Sequence, residues 1–599
     1  MEKRTLYLLA ALLLAGCSVF SQTSQQTFQD IDAFVEQARQ DWKVPGVAVG
    51  IVKGDEVVFS KGFGLRDVTS QKPVTEQTLF AIGSSTKALT ALSVLQLADE
   101  GLVELDNPVL DYLPDFRMHD DYVTQHLTVR DLLCHRSGLP RHDFVWYGSD
   151  DSREALFQKL QYLEPNRGFR EVFQYQNLMY MTAGYLVGEV THSSWEEQVQ
   201  QRIFQPLQME RANFSVEAMQ KDANYAKPYN KEKDEVKQMD FRNIDAIGPA
   251  GSVNASVNEM CHWLIAQLNG GKYGAAEIAT ATSIAESHKS NIPVTGPLSG
   301  FLAFDNNDGP ITYGLGWFIS THQGRLALQH GGNIDGFSAM VAFLPKDSIG
   351  VVVLTNLNGT MLPTVIRNFV FDKMLGKEVR DWNGEMLNMI SQMEEQQEMQ
   401  QEEQGLKRVK GTQPSHEIKA YTGQFTHPAY GAITITPEGD SLHLSYHTFE
   451  LGLSHYHYDV FAGDNPILGK MKIAFHNNID GDVEHLSTVM EPSIDAIYFE
   501  RKTEEKAFTE AELDAFTGQY LIMGVQKLTV SRKDGQLQLT VPGQPTYTLE
   551  YYKGLEFKLQ GMKGYSTLFR KDSSGKITGL VMIQPNGQFK GEKVDGGNE

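Results

Sequence analysis

Near the start of the chain, "VPGVAVGIVKGDEVVFSKGFG" alternates apolar and polar positions tightly enough to predict a hairpin, with strands over Val47–Val52 and Val57–Phe59 around a Lys53-Gly54-Asp55 turn. A helical spacing over Phe28–Trp42 precedes it. Strand patterns return only after about residue 300, in "YGLGWFIS", "RLALQHGG", "FSAMVAFLP" and "GVVVLTN", and are closed by a helical "LPTVIRNFVFDKMLG". Strands at both ends with helices between them predict an antiparallel sheet assembled from distant segments, with a helical subdomain inserted. The fold class expected is α/β of the α+β kind.

From about residue 381 to 412 the texture changes, and from Glu385 it is rich in Glu, Gln and Met without turn residues until Gly405, which predicts a solvated helical linker. Beyond it the pattern is β throughout and repeats itself. Tyr421-Thr422-Gly423-Gln424-Phe425 recurs as Phe516-Thr517-Gly518-Gln519-Tyr520, and "FHNNIDGDVEHL" from Phe475 aligns with "FRKDSSGKITGL" from Phe569. One unit is used twice, over 413–502 and 508–594, and its short strands with Gly/Asp turns predict two small barrels or sandwiches.

The 599 residues are enough for several domains, and 41% hydrophobic with 21% charged residues is the composition of a soluble globular body. Residues 1–16 differ. Lys3 and Arg4 precede a short apolar run from Leu6 to Ala15, the layout of a secretory signal. The run ends in Leu14-Ala15-Gly16-Cys17, which resembles a bacterial lipobox, so Cys17 is expected to become the lipidated first residue of an exported, membrane-anchored protein. The alternative is a plain signal peptide cut near Gln22 and a soluble secreted or periplasmic product. Cys134 and Cys261 lie in apolar helical surroundings and are expected to be buried free thiols. A formal net charge of −22 argues against nucleic acid and against adhesion to anionic lipid, leaving the N-terminal lipid as the only membrane contact.

Candidate chemistry begins in "AIGSSTKALTALSVLQLADEG". Ser84 precedes Lys87 by three residues, and Ala88, Ala91, Leu92, Leu95 and Ala98 have the spacing of a buried helix that Gly101 would stop. Residues three apart share a helix face, so Lys87 can reach Ser84, and the helix N-terminus favours an uncharged amine. The alternative is a serine that merely starts a helix. The same Ser-x-x-Lys spacing at Ser573–Lys576 falls in a hairpin turn and is read as a coincidence. Tyr175-Gln176-Asn177 heads another apolar helix. Its phenol, if its pKa is lowered beside a lysine ammonium, could relay the serine proton, with Asn177 holding Lys87 or a substrate amide. Ser252-Val253-Asn254 and Ser256-Val257-Asn258 are weaker rivals for that role. Finally, His330-Gly331-Gly332 ends a strand where glycine lets substrate backbone approach, and the N–H of Asn333 could pair with that of Ser84 as an oxyanion hole. His322-Gln323-Gly324 fits the preceding hairpin turn instead. His443, His447, His455 and His457 crowd the first repeat, but without a Cys/Asp cluster no metal site is expected.

Ser84-x-x-Lys87, Tyr175-x-Asn177 and His330-x-Gly332, in this order, resemble the serine β-lactamase and penicillin-binding-protein superfamily, in particular its class C-like branch with D-aminopeptidases and esterases. "LTVRDLLCHRSGLP", "GPAGSVNAS" and "YGLGW" add to the likeness, which runs from about residue 30 to 378 within a hydrolase domain of 17–380. The resemblance implies a β-lactamase/transpeptidase-like fold, Ser84 as the acylated nucleophile, and Lys87 with Tyr175 moving its proton, with no cofactor. Many members carry Lys-Ser/Thr-Gly where this chain has His330-Gly331-Gly332, which favours a peptide or ester over a β-lactam. The substrates implied are small molecules or short peptides, D-amino-acid-containing ones included. A carboxylesterase, a weak β-lactamase and a penicillin-binding sensor that does not turn over are the alternatives. The tail repeats resemble the lipocalin-like domains of some members. Homo-oligomerisation is left open.

Overall fold

The computed structural model describes residues 25–232, 235–305, 309–465, 469–502, 506, 508–562 and 564–594; the expected signal segment and Cys17 lie outside them. The described chain divides into two compact units, one running to Thr422 and including His427–His476 and Leu486–Phe499, the other comprising Gly423–Thr426, Asn477–His485 and everything from Glu500.

The first unit is built on a nine-stranded antiparallel sheet. Its spatial order is Ile292–Pro293, Thr312–Tyr313, Phe318–His322, Arg325–Ile334, Phe337–Leu344, Ile349–Thr355, Gly46–Lys53, Glu56–Asp67 and Lys72–Pro73. The N-terminal hairpin therefore joins the last strand of the domain, with Val49 opposite Val353 and Ile51 opposite Val351. Seven of the eight residues of Gly46–Lys53 are buried, because both faces are covered. Val47, Val49 and Ile51 pack with Ile31 and Val35 of the 25–41 helix and with Val365 and Phe369 of the Leu362–Leu375 helix. On the opposite face Gly50 leaves no room for a side chain: a Cβ there would lie 2.5 Å from Cys261 Sγ on the Val257–Leu268 helix. Cys134 and Cys261 are both buried free thiols, and burial pushes each up to about 12.

Between the Lys72–Pro73 and Ile292–Pro293 strands comes the helical region. At its centre the Thr86–Asp99 helix buries twelve of its fourteen residues, so it is a core helix on every side rather than an amphipathic one. It packs against the Asn177–Thr191 helix, itself buried over most of its length. Any polar group at the start of either helix is thus taken out of water by the fold.

The 382–406 segment is helical, yet it is not solvated throughout. Trp382 and Met386 are fully buried, and Trp382 Nε1 donates to Asp372 Oδ2 at 2.7 Å. The same aspartate bonds buried His322 at 2.8 Å. His322 closes its strand and Gln323-Gly324 make the turn, both with positive φ.

Downstream lie two closed eight-stranded antiparallel barrels, one from Gly423–His427 to Ile497–Arg501 and one from Gly518–Ile522 to Gly587–Val594. The sequence repeat is a repeat of packing. Tyr421 meets Phe461 and Phe475 with ring centroids 5.2 and 4.9 Å away, and Phe516 meets Phe557 and Phe569 at 5.3 and 4.8 Å. Gly423 and Gly518, at the same place in the two repeats, share φ values of +136° and +139° that L side chains rarely adopt. Ser573–Lys576 lies in the turn before Ile577–Gln584, where Asp572 takes the Ser574 hydroxyl and N–H. His455 and His457 are separated by an irregularity in the ladder that breaks the alternation along their strand. Among the described residues no group of three or more His, Cys, Asp or Glu is placed to hold a metal ion, and no helix is long and apolar enough to cross a membrane.

The aromatic trio predicts a single weak point for the second barrel. Phe569→Ala should cost it about 3–5 kcal/mol, the usual range for an aromatic removed from a core. The effect is read as accelerated amide exchange across 518–594, against an exposed control such as Val525→Ala.

Candidate active site

Ser84 lies in the 3-10 turn Gly83–Ser85 that leads into the Thr86–Asp99 helix, half-buried at the floor of a cleft. One turn on, Lys87 is completely buried. Its Nζ is 3.0 Å from Ser84 Oγ, 2.8 Å from Asn177 Oδ1 and 2.7 Å from Ala250 O. Desolvation, aided by the Arg141 charge and opposed by Asp143, holds this amine well below the usual lysine range. An uncharged amine has two hydrogens and one lone pair. Asn177 Oδ1 and Ala250 O can only accept, so they take the two hydrogens and leave the lone pair facing Ser84.

Asn177 opens its helix, with Gln176 rather than Asn177 as the cap. The Nδ2 of Asn177 donates to Asp143 Oδ1 at 2.9 Å, and Trp146 Nε1 donates to the same oxygen at 3.0 Å. The other oxygen of Asp143 accepts from Arg141, at 2.7 Å from Nε and 2.6 Å from the terminal nitrogen. Arg141 stacks over the Tyr175 ring at 5.3 Å, and Lys87 Nζ sits 4.8 Å from the same ring. The expected lowering of the Tyr175 pKa is reversed. Burial pushes the phenol up, with its hydrogen bond to Ser84 pulling only partly the other way, because the lysine beside it carries no ammonium charge to favour a phenolate. Tyr175 thus faces Ser84 as a neutral phenol. Its ring is held by His135, 4.3 Å between centroids, whose Nδ1 accepts from Gln176 N at 3.0 Å.

The third motif arrives on the Arg325–Ile334 strand. Past Gln329 that strand no longer pairs with Phe318–His322, and the Gly83–Ser85 turn lies against its free edge. A Cβ on Gly332 would sit 1.9 Å from Ile82 O, and one on Gly83 would sit 2.8 Å from Asn333 N. Gly83 also has φ +51°. Both glycines are therefore required by the close approach. Ile334 and Phe337 flank the Asp335-Gly336 turn, so theirs is the hydrogen-bonded pair and Asn333–Ser338 the non-bonded one. The N–H of Asn333 consequently points out of the ladder toward Gly83 and Ser84, where it and the Ser84 N–H can serve one oxyanion. His330 does not point its charge at the cleft. Its Nδ1–H donates to Gly331 O at 2.7 Å and its Nε2 accepts from Tyr313 at 3.1 Å; burial lowers it to about 3.

All seven residues singled out in the sequence thus meet around one cleft, which has two lobes sharing Ser84, Arg141 and Asn333. One lobe, about 450 Å³, is walled by Leu298, Leu302, Phe318, Met340, Met361 and Pro363. The other, about 350 Å³, holds Asp143, Asp335 and Glu491. Of the rivals, Ser256 caps the Val257–Leu268 helix and Asn254 bonds Asn213 and Ser215, while the buried Ser252 hydroxyl has no hydrogen-bond partner among the described residues. Sequence reasoning missed His135, Arg141, Asp143, Tyr313 and Glu491. His135 lies inside the quoted "LLCHRSGLP" and Arg141 and Asp143 just beyond it, so their nearness to a motif was the available signal; Glu491, more than three hundred residues downstream in a β segment, offered none.

Two adjacent glycines give a matched test. Gly332→Ala should slow acylation of Ser84 about 100-fold by prising the strand from the Ser84 turn. Gly331→Ala, whose Cβ would meet nothing closer than 3.6 Å, should leave it within about twofold. Labelling rates with a fluorophosphonate probe measure both.

Residues 31–370 match the β-lactamase family, and residues 407–501 match a domain of unknown function, DUF3471. The chain is 28% identical over 441 residues to the unguisins hydrolase ungD' of Aspergillus campestris (strain IBT 28561), covering 68% of this chain and 77% of that protein. It is 29% identical over 355 residues to Protein flp of Staphylococcus aureus (strain MW2), covering 57% of this chain and 65% of that one. In fold it is similar to the octameric penicillin-binding protein homologue from Pyrococcus abyssi, with a TM-score of 0.53 at 22% identity over 79% of this chain and 100% of the other. With more than half of its length matched to that family, the protein belongs to the β-lactamase family, a family of β-lactamase-fold hydrolases.

Proposed function

We propose that the protein is an extracytoplasmic serine hydrolase that cleaves amide bonds of small peptides, D-amino-acid-containing ones included, through an acyl-enzyme on Ser84. The observation that carries this reading is the Lys87 amine, completely buried, 3.0 Å from Ser84 Oγ and bonded to two carbonyl oxygens, where burial holds it well below the usual lysine range. Ser84 Oγ attacks the substrate carbonyl carbon as its proton passes to the Lys87 lone pair. The oxygen that becomes negative is met by the N–H groups of Ser84 and Asn333. The C–N bond then breaks, and the leaving amine takes a proton delivered from Lys87 by way of the Tyr175 phenol. Water attacks the acyl-Ser84 ester by the reverse proton route and releases the acid.

The lining supports the substrate class. His330 is neutral and occupied by Tyr313 and Gly331, and Arg141 is engaged by Asp143, so among the described residues lining the cleft no uncommitted cation waits for a β-lactam carboxylate. The apolar lobe suits an uncharged side chain. A carboxylesterase is the second reading, favoured by that apolar lobe alone. Export rests on the signal-like residues 1–17.

Ser84→Ala and Lys87→Met should each lower turnover by about 10³-fold or more while the protein stays folded. Assay against D-alanyl peptides, p-nitrophenyl esters and a chromogenic cephalosporin ranks the readings. Faster peptide cleavage supports the peptidase, faster ester cleavage the esterase, and stable acylation without turnover a sensor.

A further inference from the structure

The segment from His142 to Tyr147, which carries Asp143, is bonded by four side chains of the first barrel. Tyr430 donates its hydroxyl to His142 Nδ1 at 2.7 Å, while His142 Nε2–H donates to Glu164 O at 3.1 Å. Tyr446 donates to Phe144 O at 2.6 Å, and His447 Nδ1–H to Tyr147 O at 3.1 Å. Glu491 takes the two backbone donors at the start of the Asp143–Val145 turn: Oε1 accepts from Asp143 N in a short hydrogen bond and from Phe144 N at 3.4 Å. His142, just before them, holds φ +49°, a strained value for a residue with a side chain, so the turn depends on its partners for its shape.

What hangs on that turn is the orientation of one amide. An asparagine side chain has an accepting end and a donating end, and Lys87 needs the accepting one. If the donating end faced Lys87, the amine lone pair would accept from Asn177 and one of its hydrogens would turn toward Ser84, leaving no base. Asp143 decides between the two: its carboxylate only accepts, so at 2.9 Å it claims the Nδ2 group and leaves Oδ1 for Lys87.

We propose that Glu491, on the first barrel, is a positioning residue of the hydrolase site, pinning the Asp143 turn so that Asn177 presents its oxygen to Lys87. This rests on the reading of Lys87 as the base that activates Ser84. It gives the DUF3471 segment a role in the chemistry of the domain before it. Glu491 touches none of the reacting atoms: its oxygen is spent on backbone N–H groups.

The test is a set of full-length variants assayed for Ser84 labelling and for kcat and KM on the best substrate. Glu491→Gln keeps an oxygen for both N–H groups and should stay within about threefold of wild type. Glu491→Ala removes it and should lower kcat by about 10- to 100-fold with KM little changed. The same change made in Asn177→Ala should cost less than threefold more, because Glu491 acts through Asn177. Glu491→Met, equally long and without an oxygen, substitutes for Ala if that variant does not fold. If Glu491→Gln raises KM as much as Ala does, Glu491 is a substrate contact and the proposal is wrong. Equal labelling of wild type and Glu491→Ala, or full additivity with Asn177→Ala, overturns it while leaving the Lys87 reading intact. A wild type that is not labelled at Ser84 overturns both.

Discussion

Everything in the site depends on a lysine ammonium losing its water. Lys87 sits in the first turn of a helix that is buried all round, so its charge has nothing but protein to solvate it, and that protein offers two carbonyl oxygens and a serine. Shedding the proton is the cheaper solution. The cost appears in stability: below the ordinary lysine range the unfolded chain binds a proton that the native chain lacks, so stability from this residue rises with pH through that window. The fold accepts that cost at the place where an uncharged amine is useful.

The surroundings follow from the same constraint. Once Lys87 is neutral, Tyr175 gains nothing from ionising, and burial keeps its proton in place. His330 likewise stays neutral and is locked between Tyr313 and Gly331. Of the other ionisable groups there, Arg141 is paired with Asp143 and Asp335 with Arg242, and Glu491 is held by backbone N–H groups. The cleft is therefore one in which proton positions, rather than fixed charges, are arranged around Ser84, with backbone N–H groups supplying the positive end.

Much of this was legible in the sequence because the responsible signals are local. A serine three residues before a lysine, at the head of an apolar helix, fixes their proximity by helix geometry alone. The sheet strands announce themselves as short apolar runs bounded by turn residues, and the barrels by a repeat whose aromatic positions, Tyr421 and Phe516, prove to pack alike. The failures have physical causes too. The Tyr175 pKa was misread because a charge was assigned to Lys87 before its burial was known. The start of the 382–406 helix was misread because Trp382 and Met386 stand at the edge of a polar run that masks them. Glu491 was invisible because its significance is a hydrogen bond to Asp143 across some 350 residues of chain, which no spacing encodes.

The claim on which the account turns is that Lys87 is uncharged when Ser84 reacts, and the pH dependence of Ser84 modification by a fluorophosphonate probe tests it directly in the wild type and in Tyr175→Phe. The base works only without its proton, so the rate should rise with pH along a limb whose midpoint lies well below the ordinary lysine value of about 10.4. That limb should persist in Tyr175→Phe. A rate that climbs only as the pH nears about 10, or a limb that disappears with the Tyr175 hydroxyl, would show that Lys87 is not the base.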